Sequence, residues 1–275
     1  MTPLKPVVSS LLGTAVLLTA ICAPVVASTA ATAKPAASPA QKTAPAVQPS
    51  AAQAKGVVLT PKTMKLKTAE YEAEISYPVI SGLTDKAFEA KLNEELQKSV
   101  QSALQNTQTQ SKEGAADAKK YGYEFRPYAL DISYKAHVTG KLVSIAVQTY
   151  QYTGGAHGMT GVDYYNIANQ DQAKKLQLAD LFQPGYDYRS ILNLMITQQI
   201  KTNKELGFAD DYEFPGISED QAFAFENGDL VIHFGQYEIG PYAIGMPAFT
   251  IPSRSVNNLF KPEIRNLLHE LNTEK

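Results

Sequence analysis

The sequence predicts an α+β fold: an antiparallel sheet or sheets, with two long amphipathic helices and a C-terminal helix packed against them. Three observations carry this reading. Strand-like stretches recur at residues 69–77, 123–138, 141–152 and 160–167, most of them alternating apolar and polar residues. Apolar residues at helical spacing follow the first of these and return after Asp187. Glu226-Asn227-Gly228-Asp229 separates two short apolar runs. That is the strongest hairpin signal in the chain, because both central turn positions call for positive φ. Hairpins with long helices laid against them make a two-layer plan.

The chain has 275 residues, and its first 56 differ from the rest. Lys5 precedes an uncharged, largely apolar run through Ala27, the pattern of a secretory signal. Cleavage is expected after Ala27, with Ala30 as the alternative. Left uncleaved, the run is long enough to anchor the chain in a bilayer. A lipoprotein signal at Cys22 fits poorly, since the bulky Ile21 precedes it. Residues 28–56 are rich in Ala, Pro, Gln, Thr and Lys and hold too little apolar surface to fold. They read as an extended tether that reaches roughly 90 Å in polyproline II geometry.

All 27 acidic residues lie after residue 56, against 21 of the 25 Lys and Arg, so the folded part carries −6. A basic partner suits it better than nucleic acid, for which no basic stripe is present. Cys22, in the apolar run, is the only cysteine. The folded part therefore has no disulfide, metal thiolate or cysteine nucleophile.

In residues 69–77, Tyr71, Ala73, Ile75 and Tyr77 share one face, and Pro78 is expected to end the strand. Thr84 or Asp85 then caps a helix of about six turns carrying Phe88, Leu92, Leu96, Val100 and Leu104. It is expected to fade in the polar run 105–120. Residues 123–138 and 141–152 form two strands joined at Thr139-Gly140. The second is apolar nearly throughout its first half and so central in the sheet. Residues 160–167 make a return strand, with Val162 and Tyr164 on one face. Residues 176–182 end in a helical turn. Asp187 caps the second long helix, with Ile191, Leu192, Met195 and Gln199 on a shared face, and this helix breaks near Gly207. After the Asn227-Gly228 hairpin and a Tyr/Gly/Pro-rich loop at 236–245, Phe249 and Ile251 lie in a last short strand. Ser253 is expected to cap a helical turn. Pro262 opens a final helix with Ile264, Leu267, Leu268 and Leu271 inward.

Three segments carry a family resemblance: Tyr152-Thr153-Gly154-Gly155-Ala156-His157-Gly158, then Leu176-Gln177-Leu178-Ala179-Asp180-Leu181-Phe182, then Phe234-Gly235-Gln236-Tyr237-Glu238-Ile239-Gly240-Pro241-Tyr242-Ala243-Ile244-Gly245. In that order they resemble the extracellular domain family found in the anti-sigma factor RsiV and beside the catalytic domain of the peptidoglycan deacetylase PdaC. Tyr77-Pro78-Val79-Ile80-Ser81-Gly82, with the strand and helix around it, resembles the smaller module that precedes it in those proteins. The resemblance covers roughly residues 65–255 and divides the chain into a PdaC-like module at 57–150 and an RsiV-like module at 151–275. It implies a domain facing outside the cytoplasm. In the anti-sigma factor that domain recognises lysozyme, which exposes the protein to proteolysis and frees a sigma factor. Only residues 1–6 precede the apolar run, and no deacetylase domain is expected, so the sensing or binding part alone remains. The implied partner is a lysozyme-type protein or peptidoglycan, with membrane contact only through the N-terminal segment if it is uncleaved.

The candidate binding residues are Gly154, Gly155, His157, Gly158, Tyr237, Glu238, Pro241 and Tyr242. A histidine on a glycine-rich turn can bind, donate a proton or ligate a metal. It can equally tie down a loop whose glycines take positive φ. Tyrosine offers large, rigid contact area with a polar tip, or packs against the sheet. Glu238 anchors its loop, or pairs with Asp163 or His157 in a wall-active hydrolase. His137 and His233 lie within strand patterns, and His269 on the exposed side of the last helix. No Walker loop, dinucleotide fingerprint, zinc spacing or Gly-x-Ser-x-Gly elbow is present. No catalytic residue, cofactor or metal is therefore expected.

Overall fold

Residues 56–269 are described by a computed structural model. The expected signal segment, nearly all of the linker and Leu271 lie outside them. The strands are β1 (Val58–Lys67), β2 (Tyr71–Ser81), β3 (Tyr128–Thr139), β4 (Leu142–Tyr152), β5 (Met159–Ala168), β6 (Lys174–Lys175), β7 (Phe223–Glu226), β8 (Asp229–His233) and β9 (Ala248–Ile251). The helices are α1 (Lys86–Tyr121), α2 (Tyr188–Thr202), the single turn α3 (Ser253–Val256) and α4 (Pro262–His269). One sheet runs β1-β2-β3-β4-β5-β6 and the other β7-β8-β9. Every strand pair is antiparallel except β2 with β3, which α1 connects as a crossover. The larger sheet takes strands from both sides of residue 150.

β4 explains the two-layer plan. Val143, Ile145 and Val147 face a core built with Leu92, Leu96 and Val100 of α1. Leu142 on the opposite face joins a second core with Leu192 and Ile196 of α2, Phe225 and Ile232 of the small sheet, and Leu267 of α4. A strand covered on both faces must be apolar on both, as its sequence is. Between the layers, Ser144 donates to Asn166 (2.7 Å) and accepts from the Phe225 N–H (2.9 Å), and Asn166 donates to the Phe223 carbonyl (2.7 Å). This buried polar staple fastens β7 to β4 and β5.

Several elements depart from expectation. β1 was not expected; it is an edge strand with a largely exposed, lysine-rich sequence, and so lacks a clear alternation. Pro78 does not end β2, which continues to Ser81. It sits opposite Pro61, and the pairing of β2 with β3 stops at Ile75, so its missing N–H leaves no ladder bond unmade. α1 does not fade at residue 105 but runs for 36 residues. Asp85 caps its start by accepting from the Phe88 N–H, and Gly122 ends it at φ 73°. Its second half buries Thr107 and Ser111, whose hydroxyls bond carbonyls of their own helix. Small polar residues satisfied this way pack like small apolar ones.

The remaining signals correspond to structure in part. Asp187 caps α2 through the Ser190 N–H. The inward residues are Leu192, Ile196 and Ile200, one step round from the expected face, while Gln199 bonds the Thr250 carbonyl. Asn227 and Gly228 both hold positive φ (53° and 91°) in the β7–β8 turn. Ser253 does not cap α3: its N–H donates to Asp229, and Pro252 occupies the cap position.

Candidate functional site

β4 delivers Tyr150 and Tyr152 to one end of the larger sheet, where residues 153–158 turn the chain into β5. The loop's glycines differ in what they require. Gly154 holds φ 84°, which favours glycine. Gly158 lies so close to the Tyr150 ring that a Cβ would sit 2.4 Å from it. Gly155 has neither constraint: its φ is not positive, and a Cβ there would meet nothing nearer than 4.0 Å. On the reading in which the loop's glycines take positive φ, only Gly154 does so.

The loop is held from both sides. The Tyr152 hydroxyl donates to the Gly155 carbonyl at 3.0 Å, and the Arg126 guanidinium reaches the same carbonyl at 3.5 Å. His157 is exposed, with Nδ1 3.1 Å from the Gly158 carbonyl. A carbonyl only accepts, so in the neutral ring this contact puts the proton on Nδ1 and leaves Nε2 as an acceptor. The Tyr237 hydroxyl lies 3.5 Å from that Nε2.

The second loop comes from the far part of the chain, between β8 and β9. Its base is fixed. The Glu238 carboxylate accepts from the Gly235 N–H (2.6 Å) and from Gln221 (3.0 Å), and Gln221 also donates to the His233 carbonyl (2.7 Å). Ile239 is buried, and its carbonyl accepts from the Tyr212 hydroxyl at 2.7 Å. Glu238 therefore anchors the loop. Above this base, Tyr237 is 49% exposed at φ 66°. A bulky residue is rarely found at such a φ, which costs about 1–2 kcal/mol. Pro241 is exposed and leads into the 3-10 turn Tyr242–Ile244.

The two loops meet. His157 stacks on Tyr242 with ring centroids 4.2 Å apart, and Tyr242 lies 5.7 Å from Tyr237. The Tyr242 hydroxyl reaches the Gly158 carbonyl at 3.5 Å, and Gln236 accepts from the Thr160 N–H at 3.0 Å. Burial, followed by the neighbouring Tyr242 and Tyr152, pushes the Tyr150 hydroxyl above the usual phenol range. All eight candidate residues thus lie on two abutting loops: His157, Tyr237 and Tyr242 form the aromatic surface, Pro241 flanks it, and Gly154, Gly155, Gly158 and Glu238 shape its supports.

The geometry does not assemble a carboxylate pair. Asp163 shares a face of β5 with Tyr165, which packs in the α1 core. Tyr164, on the other face, stacks on His233 at 4.6 Å. Burial, then Glu226 and Glu238, push the Tyr164 hydroxyl well above the usual range. Glu238 is held beside His233 through Gln221, which bonds both. Nor do His157 and Glu238 bond each other; their hydrogen bonds go to the partners named above.

A second cluster escaped sequence reasoning. In the sequence Glu226 is simply the first residue of the Glu226-Asn227-Gly228-Asp229 turn. Its carboxylate lies between His233 (2.9 Å) and His137 (3.9 Å), so one histidine from each sheet converges on it. The hydrogen bond from His233 holds the Glu226 carboxyl below the usual carboxylate range. Among the described residues no group of three or more His, Cys, Asp or Glu is arranged to hold a metal ion.

Comparison with known proteins divides the chain in two. Residues 64–160 match the family model described as Deacetylase PdaC, and residues 179–254 match that of a Protein of unknown function (DUF3298). His157 falls in the first segment and Tyr237 and Tyr242 in the second, so the aromatic surface draws on both. Over 139 residues the chain is 26% identical to the peptidoglycan-N-acetylmuramic acid deacetylase PdaC of Bacillus subtilis (strain 168). That match covers 49% of this chain and 30% of the relative. The fold is similar to two crystal structures of DUF3298 family proteins. One, from Bacteroides fragilis NCTC 9343, has a TM-score of 0.56 at 19% identity, covering 79% of this chain and 97% of the other. The second, from Pseudomonas aeruginosa PAO1, has a TM-score of 0.50 at 19% identity, covering 76% and 95%.

Proposed function

For a chain that is PdaC-like over residues 64–160 and DUF3298-like over residues 179–254, we propose the role of an exported, non-catalytic binding or sensing domain of the cell envelope. Its recognition surface is the pair of loops carrying His157, Tyr237, Pro241 and Tyr242. One observation carries this reading: Tyr237 is held at positive φ with its ring half exposed. Backbone strain that serves no buried contact is characteristic of binding sites. Exposed tyrosines on anchored loops supply contact area at little entropic cost.

The partner we propose is a basic lysozyme-type muramidase, which the two loops would occlude. The −6 balance of the folded part complements such a protein. A peptidoglycan strand is the second reading, favoured by the flat stack of His157 on Tyr242, a platform of the kind on which sugar rings pack.

The test is calorimetry of the purified protein with a c-type lysozyme and, separately, with soluble peptidoglycan fragments, while wall lysis is followed in parallel. Lysozyme binding with inhibited lysis that is lost in Tyr237→Ala supports the first reading. Binding to fragments alone replaces it with the second, and binding to neither removes both.

A further inference from the structure

The charge of the folded part is unevenly placed. Residues 204–220, between α2 and β7, hold Glu205, Asp210, Asp211, Glu213, Glu219 and Asp220 against Lys204 alone. That is −5 in 17 residues, so everything else after residue 56 carries −1. All six acidic residues are exposed. Among the described residues only Asp210 of the six forms an ion pair, with Lys204.

The segment has one 3-10 turn, Lys204–Leu206, and is otherwise irregular. What lies between its charges holds it down. Ile217 is buried, and Phe208, Tyr212 and Phe214 pack against the core shared by α2 and the small sheet. The Ile217 N–H donates to Asn193 of α2 at 2.9 Å, and the Arg189 guanidinium donates to the Ile217 carbonyl at 2.7 Å. With apolar residues inward and acids outward, the segment is a strap fastened to the surface.

The strap abuts the second aromatic loop. The Tyr212 hydroxyl bonds the Ile239 carbonyl at 2.7 Å, two residues from Tyr237. A Cβ on Gly207 would lie 3.5 Å from the Ile244 side chain, and Phe214 meets Phe234 edge to face at 5.6 Å. Asp211 and Glu213 flank Tyr212 in sequence, so both stand one tyrosine side chain away from the loop. Charges of one sign beside a contact surface attract a partner of the opposite sign and speed its encounter, whereas the close contacts set how long it stays. The same charges repel a polyanion.

We infer that residues 204–220 are the charged half of the recognition surface, a strap that steers a basic protein onto the aromatic loops and sets its rate of association. This rests on the reading of those loops as a protein-binding surface.

The test is the association rate of the full chain with a c-type lysozyme across ionic strength. Asp211→Asn/Glu213→Gln should slow association about three- to tenfold at low salt and flatten its salt dependence, with dissociation unchanged. Asp211→Glu/Glu213→Asp keeps the charge and should associate as wild type does. Asp171→Asn, exposed beyond the opposite end of the ten-residue β5 and about 30 Å from the loops, should have little effect. Wild-type association in the neutralised variant overturns the inference, as does equal slowing in Asp171→Asn or a change confined to dissociation. Each of these leaves the reading of the loops standing. Absence of lysozyme binding by the wild type, or binding to peptidoglycan fragments alone, overturns both.

Discussion

The imidazole of His157 stacks on the phenol of Tyr242 with 4.2 Å between ring centroids and 28° between ring planes. This one contact joins a loop from the PdaC-like segment to a loop from the DUF3298-like segment. The two loops also meet through Tyr242 and Gly158 and through Gln236 and Thr160. Removing the imidazole should therefore loosen both. In His157→Ala, amide hydrogen exchange should speed up at residues 153–158 and at 237–245 together, while the loss of overall stability stays near 1 kcal/mol, as for an exposed ring pair. Faster exchange confined to the first loop would show that the two are independent.

Tyr237 sets stability against binding. Glycine takes φ 66° without strain, so Tyr237→Gly should leave the protein as stable as wild type or more stable by up to about 1 kcal/mol in urea denaturation. The same change removes the half-exposed ring and should weaken partner binding at least tenfold. If the variant is destabilised instead, the tyrosine is a packing residue and the functional reading of its strain fails.

The glycines of the first loop should respond unequally. Gly158→Ala drives a methyl to within 2.4 Å of the Tyr150 ring and should cost about 1–3 kcal/mol as overpacking. Gly155→Ala has open space and should be nearly silent. Thermal melts of the two single variants measure the difference, and equal effects would contradict the geometry.

Much of this fold was legible in the sequence where the signal is local. The periodic apolar residues of α1 and α2, the Asp85 and Asp187 caps and the Asn227-Gly228 turn each depend on a few neighbouring residues. What escaped depends on contacts distant in the chain. The burial of Thr107 and Ser111 is set by the strands beneath α1, and their polarity hid it. Pro78 is tolerated because the pairing of β2 with β3 has already stopped at Ile75. The candidate loops were recognisable by composition, but their convergence was not, nor was the positive φ of Tyr237, since tyrosine carries no tendency toward that conformation. Glu226 looked like a hairpin residue, and only the packing of the two sheets brings His137 to it.

The staple between the sheets should be costly to break from one side. Ser144→Ala leaves the buried Phe225 N–H and an oxygen of Asn166 without their partner. A loss of about 1–3 kcal/mol is expected. Asn166→Ala orphans the Phe223 carbonyl and should cost a similar amount. Because the two residues share one network, the double variant should lose less than the sum of the single losses. Additive losses by urea denaturation would show that the hydrogen bonds act separately.

Two carboxylates should shape the pH dependence of stability in opposite directions. The bond from His233 holds Glu226 below its ordinary range, so its contribution is fully present above the unfolded carboxylate value of about 4.3 and is lost as pH falls through the lower folded value. Glu226→Gln should therefore be less stable than wild type at pH 7, with the two melting curves converging toward pH 3. Asp131 is the reverse case. Partial burial, followed by the charge of Glu74 directly across in β2, raises its carboxyl. A raised carboxyl favours folding only while protonated, and that advantage is lost as pH rises through the folded value. Asp131→Asn should thus raise the melting midpoint at pH 7 and change little at pH 3, where wild type is already neutral at that position. Melting both variants across pH 3–8 separates the effects. A stabilising Glu226→Gln or a destabilising Asp131→Asn at neutral pH would reverse the electrostatic assignment of the face concerned.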